Sequence, residues 1–167
     1  MALAPEPLLA HHLLDAFDCG RDELNEWLKK YARQAQAAGS AQTFVAAQAD
    51  GTVEGYFSLV VGQIAHSLAA ERVRKGMARR FPIPVVVLAR LAVCVRKQGQ
   101  GMGADLLKDV IRRVLLVSEQ AGVRAIVTHP IDENAAAFYA KFGFRKSPVH
   151  ERQMWLLLKD ARHLAGR

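Results

Sequence analysis

The segment Gln98-Gly99-Gln100-Gly101-Met102-Gly103 is where the residue types of this chain most plainly permit chemistry. An apolar run precedes it and an apolar-periodic run follows it, so it reads as a glycine-rich junction between a strand and a helix. Glycines at such a junction let the backbone come close to a ligand. The unpaired N–H groups of the first helical turn then favour an anion such as a pyrophosphate. A plain tight turn that packs a helix on a strand uses the same residues, and both readings stay open at this level. The pattern disfavours the dinucleotide-binding version, and the nucleotide-triphosphate version fails. The glycines are not GxGxxG with an acidic residue closing a following strand about 20 residues on, and no Lys-Ser or Lys-Thr follows the last glycine.

A second feature is electrostatic. The formal net charge of the chain is +7, yet eight acidic and four basic residues precede Gly55, so the positive charge lies beyond it. Arg72, Arg74, Lys75, Arg79, Arg80, Arg90, Arg96 and Lys97 occur with no Asp or Glu between Glu71 and Asp105. Such a field attracts polyanions, nucleic acid or a phosphorylated cofactor among them, and a solvated face that keeps the protein soluble is the competing account. Cys19 and Cys94 lie far apart without metal-ligand spacing, so they read as free thiols, with neither zinc nor a disulfide suggested. His129, alone before Pro130, reads as a structural or capping residue rather than a base.

Alternating elements must position these residues. Asp22 to Ala38 carries Leu24, Trp27, Leu28, Tyr31, Ala32 and Ala35 at helical spacing and stops at Gly39. Thr43 to Gln48 and Val53 to Gln63 read as strands joined by a turn at Asp50-Gly51. Val85 to Val95 is an apolar run interrupted only by Arg90, as expected of a central strand covered on both faces. Ala104 to Gln120 predicts a helix, Arg124 to His129 a short strand, Asn134 to Phe142 a short helix, and Met154 to Leu158 a last strand. Trp27 and Trp155 sit in apolar patterns and read as core.

With 167 residues, 51% of them hydrophobic and 23% charged, the chain fits a single domain over 1–167 and not a disordered tail. No uncharged stretch approaches the ~20 apolar residues of a spanning helix. The start, Met1-Ala2-Leu3-Ala4-Pro5, lacks the basic n-region of a signal peptide, so a cytoplasmic location is expected.

Taken in order, Leu91-Ala92-Val93, the loop from Gln98 to Gly103, Asn134, Phe138-Tyr139 and Phe142-Gly143-Phe144 resemble the GNAT acyltransferase superfamily. Its Q/RxxGxG/A loop is matched by Gln98, Gly101 and Gly103. The resemblance implies a mixed α/β fold with a mostly antiparallel sheet, a splayed parallel strand pair and flanking helices. It implies that the loop residues Gln98, Gly99, Gln100, Gly101, Met102 and Gly103 hold the pyrophosphate of acetyl-CoA, and that main-chain groups of Leu91, Ala92 and Val93 pair with the pantetheine. By the same resemblance Tyr139 is the general acid toward the departing thiolate. Asn134 then either caps its helix or bonds the CoA arm.

A narrower resemblance covers the N-terminal third. Phe17-Asp18-Cys19-Gly20, Trp27-Leu28, Thr43-Phe44-Val45, Ala89-Arg90-Leu91-Ala92-Val93 and His129-Pro130 are similar to the acetyltransferase toxins of type II toxin–antitoxin systems. These acetylate the α-amino group of aminoacyl-tRNA and block translation. The resemblance implies acetyl-CoA as cosubstrate without a metal, a ribbon-helix-helix antitoxin and a homodimer. On this reading Arg74, Lys75, Arg79, Arg80 and Arg90 contact tRNA phosphates, which needs no base readout. Acetylation of a small amine or a protein N-terminus, or a non-catalytic nucleic-acid or partner-binding role, are the alternatives.

Overall fold

The computed structural model describes residues 3–165. Two compact units divide the chain: Met1–Val60 with Ala89–Val110, and Val61–Leu88 with Ile111–Arg167.

The first unit opens with the two-residue strand β1 (Glu6–Pro7), then α1 (Asp22–Glu26), a π-helical turn (Trp27–Tyr31) and α2 (Ala32–Ala38). One continuous amphipathic helix was expected over this stretch. The π turn shifts its register, so Leu28 and Ala32 are buried while Tyr31 is 48% exposed. The Tyr56 hydroxyl donates to the Leu24 carbonyl at 2.8 Å, next to where α1 gives way to the π turn. Gly39 closes α2 in the left-handed region at φ +78°, the usual glycine stop.

β2 (Gln42–Ala47) and β3 (Val53–Ile64) form the expected antiparallel hairpin around Asp50-Gly51. Their register skips between Gly55 opposite Ala46 and Val53 opposite Ala47, leaving Glu54 as the extra residue of a β-bulge. Val53 and Tyr56 therefore both stay in a core made by Leu8, Leu14, Phe17, Leu28, Val45, Ala92 and Cys94.

In the second unit Ala69, Ala70, Val73, Ile83, Val85, Ala125, Val127, Trp155 and Leu157 form a separate core cluster. Its elements are α3 (Glu71–Arg74), β5 (Ala125–Thr128), α5 (Glu133–Lys141), β6 (Arg145–Lys146), β7 (Met154–Leu157) and α6 (Leu158–Ala165). β4 (Ile83–Val93) and α4 (Met102–Ser118), like β3, have residues in both units. The sheet order is β1-β2-β3-β4-β5-β7-β6, with β4–β5 parallel and β1–β2, β2–β3, β5–β7 and β6–β7 antiparallel. This is the expected mixed α/β class. β4 ends two residues earlier than expected because Cys94 leaves the strand and Val95–Lys97 form a 3₁₀ turn. Leu158 begins a helix instead of ending a strand. No helix among the described residues is long and apolar enough to cross a membrane.

Candidate functional site

The parallel ladder between β4 and β5 runs from Val85 opposite Ala125 to Leu88 opposite Thr128 and stops there. β4 continues through Ala89 to Val93 beyond its last β5 partner, and this stretch holds Leu91, Ala92 and Val93. Ala92 is buried, while Leu91 and Val93 are half-buried.

The loop that follows is held by side chains of its own sequence. Gln98 donates its amide to the Val93 carbonyl at 2.9 Å and the Cys19 carbonyl at 3.0 Å, tying the loop to the end of β4. Gln100 donates to the Arg96 carbonyl at 3.0 Å. Gly99 at φ +75° and Gly101 at φ +89° occupy the left-handed region, and the space that a Cβ would take at either is open. The first helical bond of α4 runs from the Asp105 N–H to the Gly101 carbonyl at 3.1 Å. The amides of Met102, Gly103 and Ala104 thus precede the first helical bond and form the N-terminal donor set of a long helix. Met102 itself packs inward: its sulfur lies 3.1 Å from where a Cβ at Gly55 would stand, so its contribution to an anion is the main chain.

The same first turn has an acidic neighbour that sequence reasoning missed. The bulge turns Glu54, 1% exposed, toward Gln48, whose amide donates to its carboxylate. Arg96 and Lys97 each approach that carboxylate to 3.8 Å. Gln48, Glu54, Lys97, Gln100, Met102 and Asp105 line a cavity of about 330 Å³. Only a bulge in the register brings a strand glutamate here, and local pattern carries no sign of it.

In the second unit, Tyr139 lies on α5 and is 7% exposed, its ring 5.3 Å from Phe138 and 5.4 Å from Phe144. Burial pushes its phenol up to about 12, opposed by a hydrogen bond with the Thr128 side chain. The Thr128 hydroxyl in turn donates to the Leu88 carbonyl at 3.0 Å, so β5 supplies the group that orients the phenol. Asp132, not Asn134, caps α5: its carboxylate accepts from the Ala135 N–H at 2.9 Å. Asn134 is exposed in the first turn, which overturns its capping reading. His129 stands 5.5 Å ring to ring from His150. Burial and then that neighbour push its imidazole below the usual histidine value.

The basic run divides by partner. Arg124 donates to the carbonyls of Val73, Arg72 and Lys75 at 2.8, 3.2 and 3.1 Å and so pins the end of α3. Arg72 pairs with both oxygens of Asp160 at 2.9 and 3.1 Å. Arg96 and Lys97 face Glu54, and the Arg90 guanidinium lies 3.9 Å over the Trp27 ring. Lys75, Arg79 and Arg80 are exposed on the connection between α3 and β4, with Arg74 half-buried beside them. Among the described residues, Glu6, His11 and His12 are the one cluster with metal-ligand proximity. The Nδ1 of His12 accepts from the Leu9 N–H at 2.9 Å, so its Nε2 holds the proton it shares with Glu6 at 2.7 Å and is not free to ligate.

Comparison with known proteins places the chain in a family. The acetyltransferase (GNAT) domain family matches residues 39–146. The chain is 40% identical to a tRNA-acetylating toxin of Mycobacterium tuberculosis over 151 residues, which covers 90% of this chain and 89% of that one. It is similar to the crystal structure of AtaTR bound with acetyl-CoA, with a TM-score of 0.82, 26% identity and 98% of each chain covered. It also resembles a tyrosine-to-phenylalanine variant of the toxin AtaT bound to the C-terminus of the antitoxin AtaR. There the TM-score is 0.82 and the identity 25%, over 96% of this chain and 95% of that one.

Proposed function

The chain belongs to the GNAT acetyltransferase family, and from that premise we propose that it is a toxin of a type II toxin–antitoxin system. It transfers acetyl from acetyl-CoA to the α-amino group of aminoacyl-tRNA and thereby blocks translation. The observation that carries this reading is the 40% identity to a tRNA-acetylating toxin across nine tenths of the chain.

The site chemistry supports it. The open amides of Met102, Gly103 and Ala104 and the glycine geometry at Gly99 and Gly101 suit the pyrophosphate of acetyl-CoA, and the stretch of β4 from Leu91 to Val93, beyond its last β5 partner, suits its amide-bearing arm. In the transfer, the neutral α-amine nitrogen forms a bond to the acetyl carbonyl carbon, the carbon–sulfur bond breaks, a thiolate departs, and the proton shed by the nitrogen passes to solvent. Tyr139, protonated at neutral pH, turns its one O–H from Thr128 to that sulfur as negative charge develops there. An α-amine beside an ester is less basic than a lysine side chain, so a neutral nucleophile is available without a strong base. Positioning then supplies much of the rate. Lys75, Arg79 and Arg80, with Arg74 beside them, suit the phosphates of tRNA. Asn134, exposed on the first turn of α5, is the remaining group for the acetyl-CoA arm.

The chain acts as one catalytic domain in the cytoplasm, where charged tRNA is found. Its partners are an antitoxin, of the ribbon-helix-helix class on the resemblance of its sequence, and a second copy of itself. The test is incubation with acetyl-CoA and charged total tRNA, followed by mass spectrometry of the released amino acids. N-acetylated amino acids are expected. Their absence, with acetyl transfer to free amines intact, makes this an ordinary amine acetyltransferase.

A further inference from the structure

Arg90 is the one cation of the basic run whose guanidinium is stacked and half-buried, yet it has no acceptor. It makes no hydrogen bond or ion pair among the described residues; its contact is the face of Trp27 at 3.9 Å. Trp27 in turn lies nearly parallel to Tyr56, 6.2 Å between ring centroids and 11° between planes, so the indole under the guanidinium is itself braced by a second ring. The stack is built at some expense to regular structure. Trp27 opens the π turn, an uncommon insertion that recurs at functional sites, and the Tyr56 hydroxyl holds the Leu24 carbonyl beside it. Burial lowers the proton affinity of Arg90, and no carboxylate opposes this. A guanidinium stacked on an aromatic face keeps its planar fork of N–H donors fixed in orientation. Arg90 also belongs to the stretch of β4 that runs past the last β5 partner, one residue before Leu91.

We propose that Arg90, clamped on Trp27, is the site that takes a phosphodiester of the aminoacyl-bearing end of tRNA, with Trp27 as the positioning residue that aims the fork. The inference rests on the reading of the substrate as aminoacyl-tRNA and assigns Arg90 a task distinct from that of the exposed basic connection. Lys75, Arg79 and Arg80 are solvated and suit general attraction of a polyanion. Arg90 is rigid, partly dehydrated and next to the strand implied to hold the acetyl donor, so the phosphate it binds is one near the reacting ester. A bidentate guanidinium–phosphate contact fixes orientation as well as charge, which lysine does not reproduce.

The experiment compares two acceptors that share the same α-amine: charged tRNA, and the methyl ester of the same amino acid, which has no phosphate. Hydrogen bonds to charged groups imply that Arg90→Lys lowers the ratio of kcat/KM between charged tRNA and ester by roughly ten- to a hundred-fold, chiefly through KM for tRNA. Trp27→Leu gives a loss in the same direction, Trp27→Phe restores part of it, and Trp27→Leu adds little in the Arg90→Lys background, because it acts through the same contact. An unchanged ratio in Arg90→Lys, or additive losses in the double variant, overturns the proposal.

A binding measurement separates this from failure of the substrate reading. The chain has two tryptophans, so Trp155→Phe leaves Trp27 as the reporter, titrated with uncharged tRNA. Quenching that disappears in Arg90→Lys supports the phosphate site even if charged tRNA is not acetylated. Absence of quenching in the single-tryptophan parent overturns it.

Discussion

Replacing Tyr139 by Phe removes one oxygen and keeps the ring between Phe138 and Phe144. Burial holds the phenol up to about 12, whereas a thiol ionises near ~8.5. Complete proton transfer to the thiolate is thus uphill. Tyr139 consequently stabilises the departing sulfur by donating a hydrogen bond, with the proton following late. A hydrogen bond to a charged group is worth ~1.5–3 kcal/mol, so kcat should fall roughly 10- to 150-fold in the Phe variant. The acetyl-CoA dissociation constant, read by calorimetry, should hold. The lost bond with Thr128 should cost about 1 kcal/mol, a Tm drop of ~2–4 °C at this size. Near-parental single-turnover rates on charged tRNA would refute the assignment, and so would a kcat loss matched by an equal weakening of acetyl-CoA binding. The pH dependence adds a check. A phenol whose folded value lies above its unfolded value near ~10 stabilises the fold fully below pH ~10, and that stability is lost as pH rises through about 12. The Phe variant should lack this alkaline loss, and Tyr139 should cause no alkaline fall in rate below pH ~10.

Three further outcomes follow from the same geometry. Gly101→Glu, placed at φ +89° in open space, should cost ~1–3 kcal/mol in backbone strain and add a charge opposed to pyrophosphate. Calorimetry should show acetyl-CoA binding abolished in a folded variant, with Gly101→Ala losing less. Arg79→Ala and Arg80→Ala should each reduce the slope of log tRNA affinity against log salt by ~0.7–0.9 where a phosphate contact is lost; parental slopes would make this connection a solvated face. His129, held below its ordinary value, contributes stability that is present above pH ~6.5 and is lost as pH falls through its folded value. His129→Asn should therefore flatten the acid side of denaturant midpoints measured from pH 5 to 8.

What was legible in the chain was local. Asp50-Gly51 and Gly99 to Gly101 announce their turns because positive φ values need glycine, and the loop from Gln98 to Gly103 is bounded by two strong apolar patterns. Elements that exist only through a neighbour were not legible. β1 and β6 have two residues each and are strands by virtue of pairing with β2 and β7. The π turn at Trp27 and the bulge at Glu54 each shift a register, and a shift leaves residue types unchanged while re-aiming them. Asp132 and Asn134 are both capping residues by type, and the path of the chain after Pro130 chose the first. The basic run shows the general reason. Its net field can be read from composition, because charges add wherever they sit. The partner of each charge is a tertiary property. Asp160 takes Arg72, Glu54 faces Arg96 and Lys97, and Trp27 covers Arg90, yet none of the three lies between Glu71 and Asp105. The cations left to meet a polyanion are therefore selected by residues that the run itself does not contain.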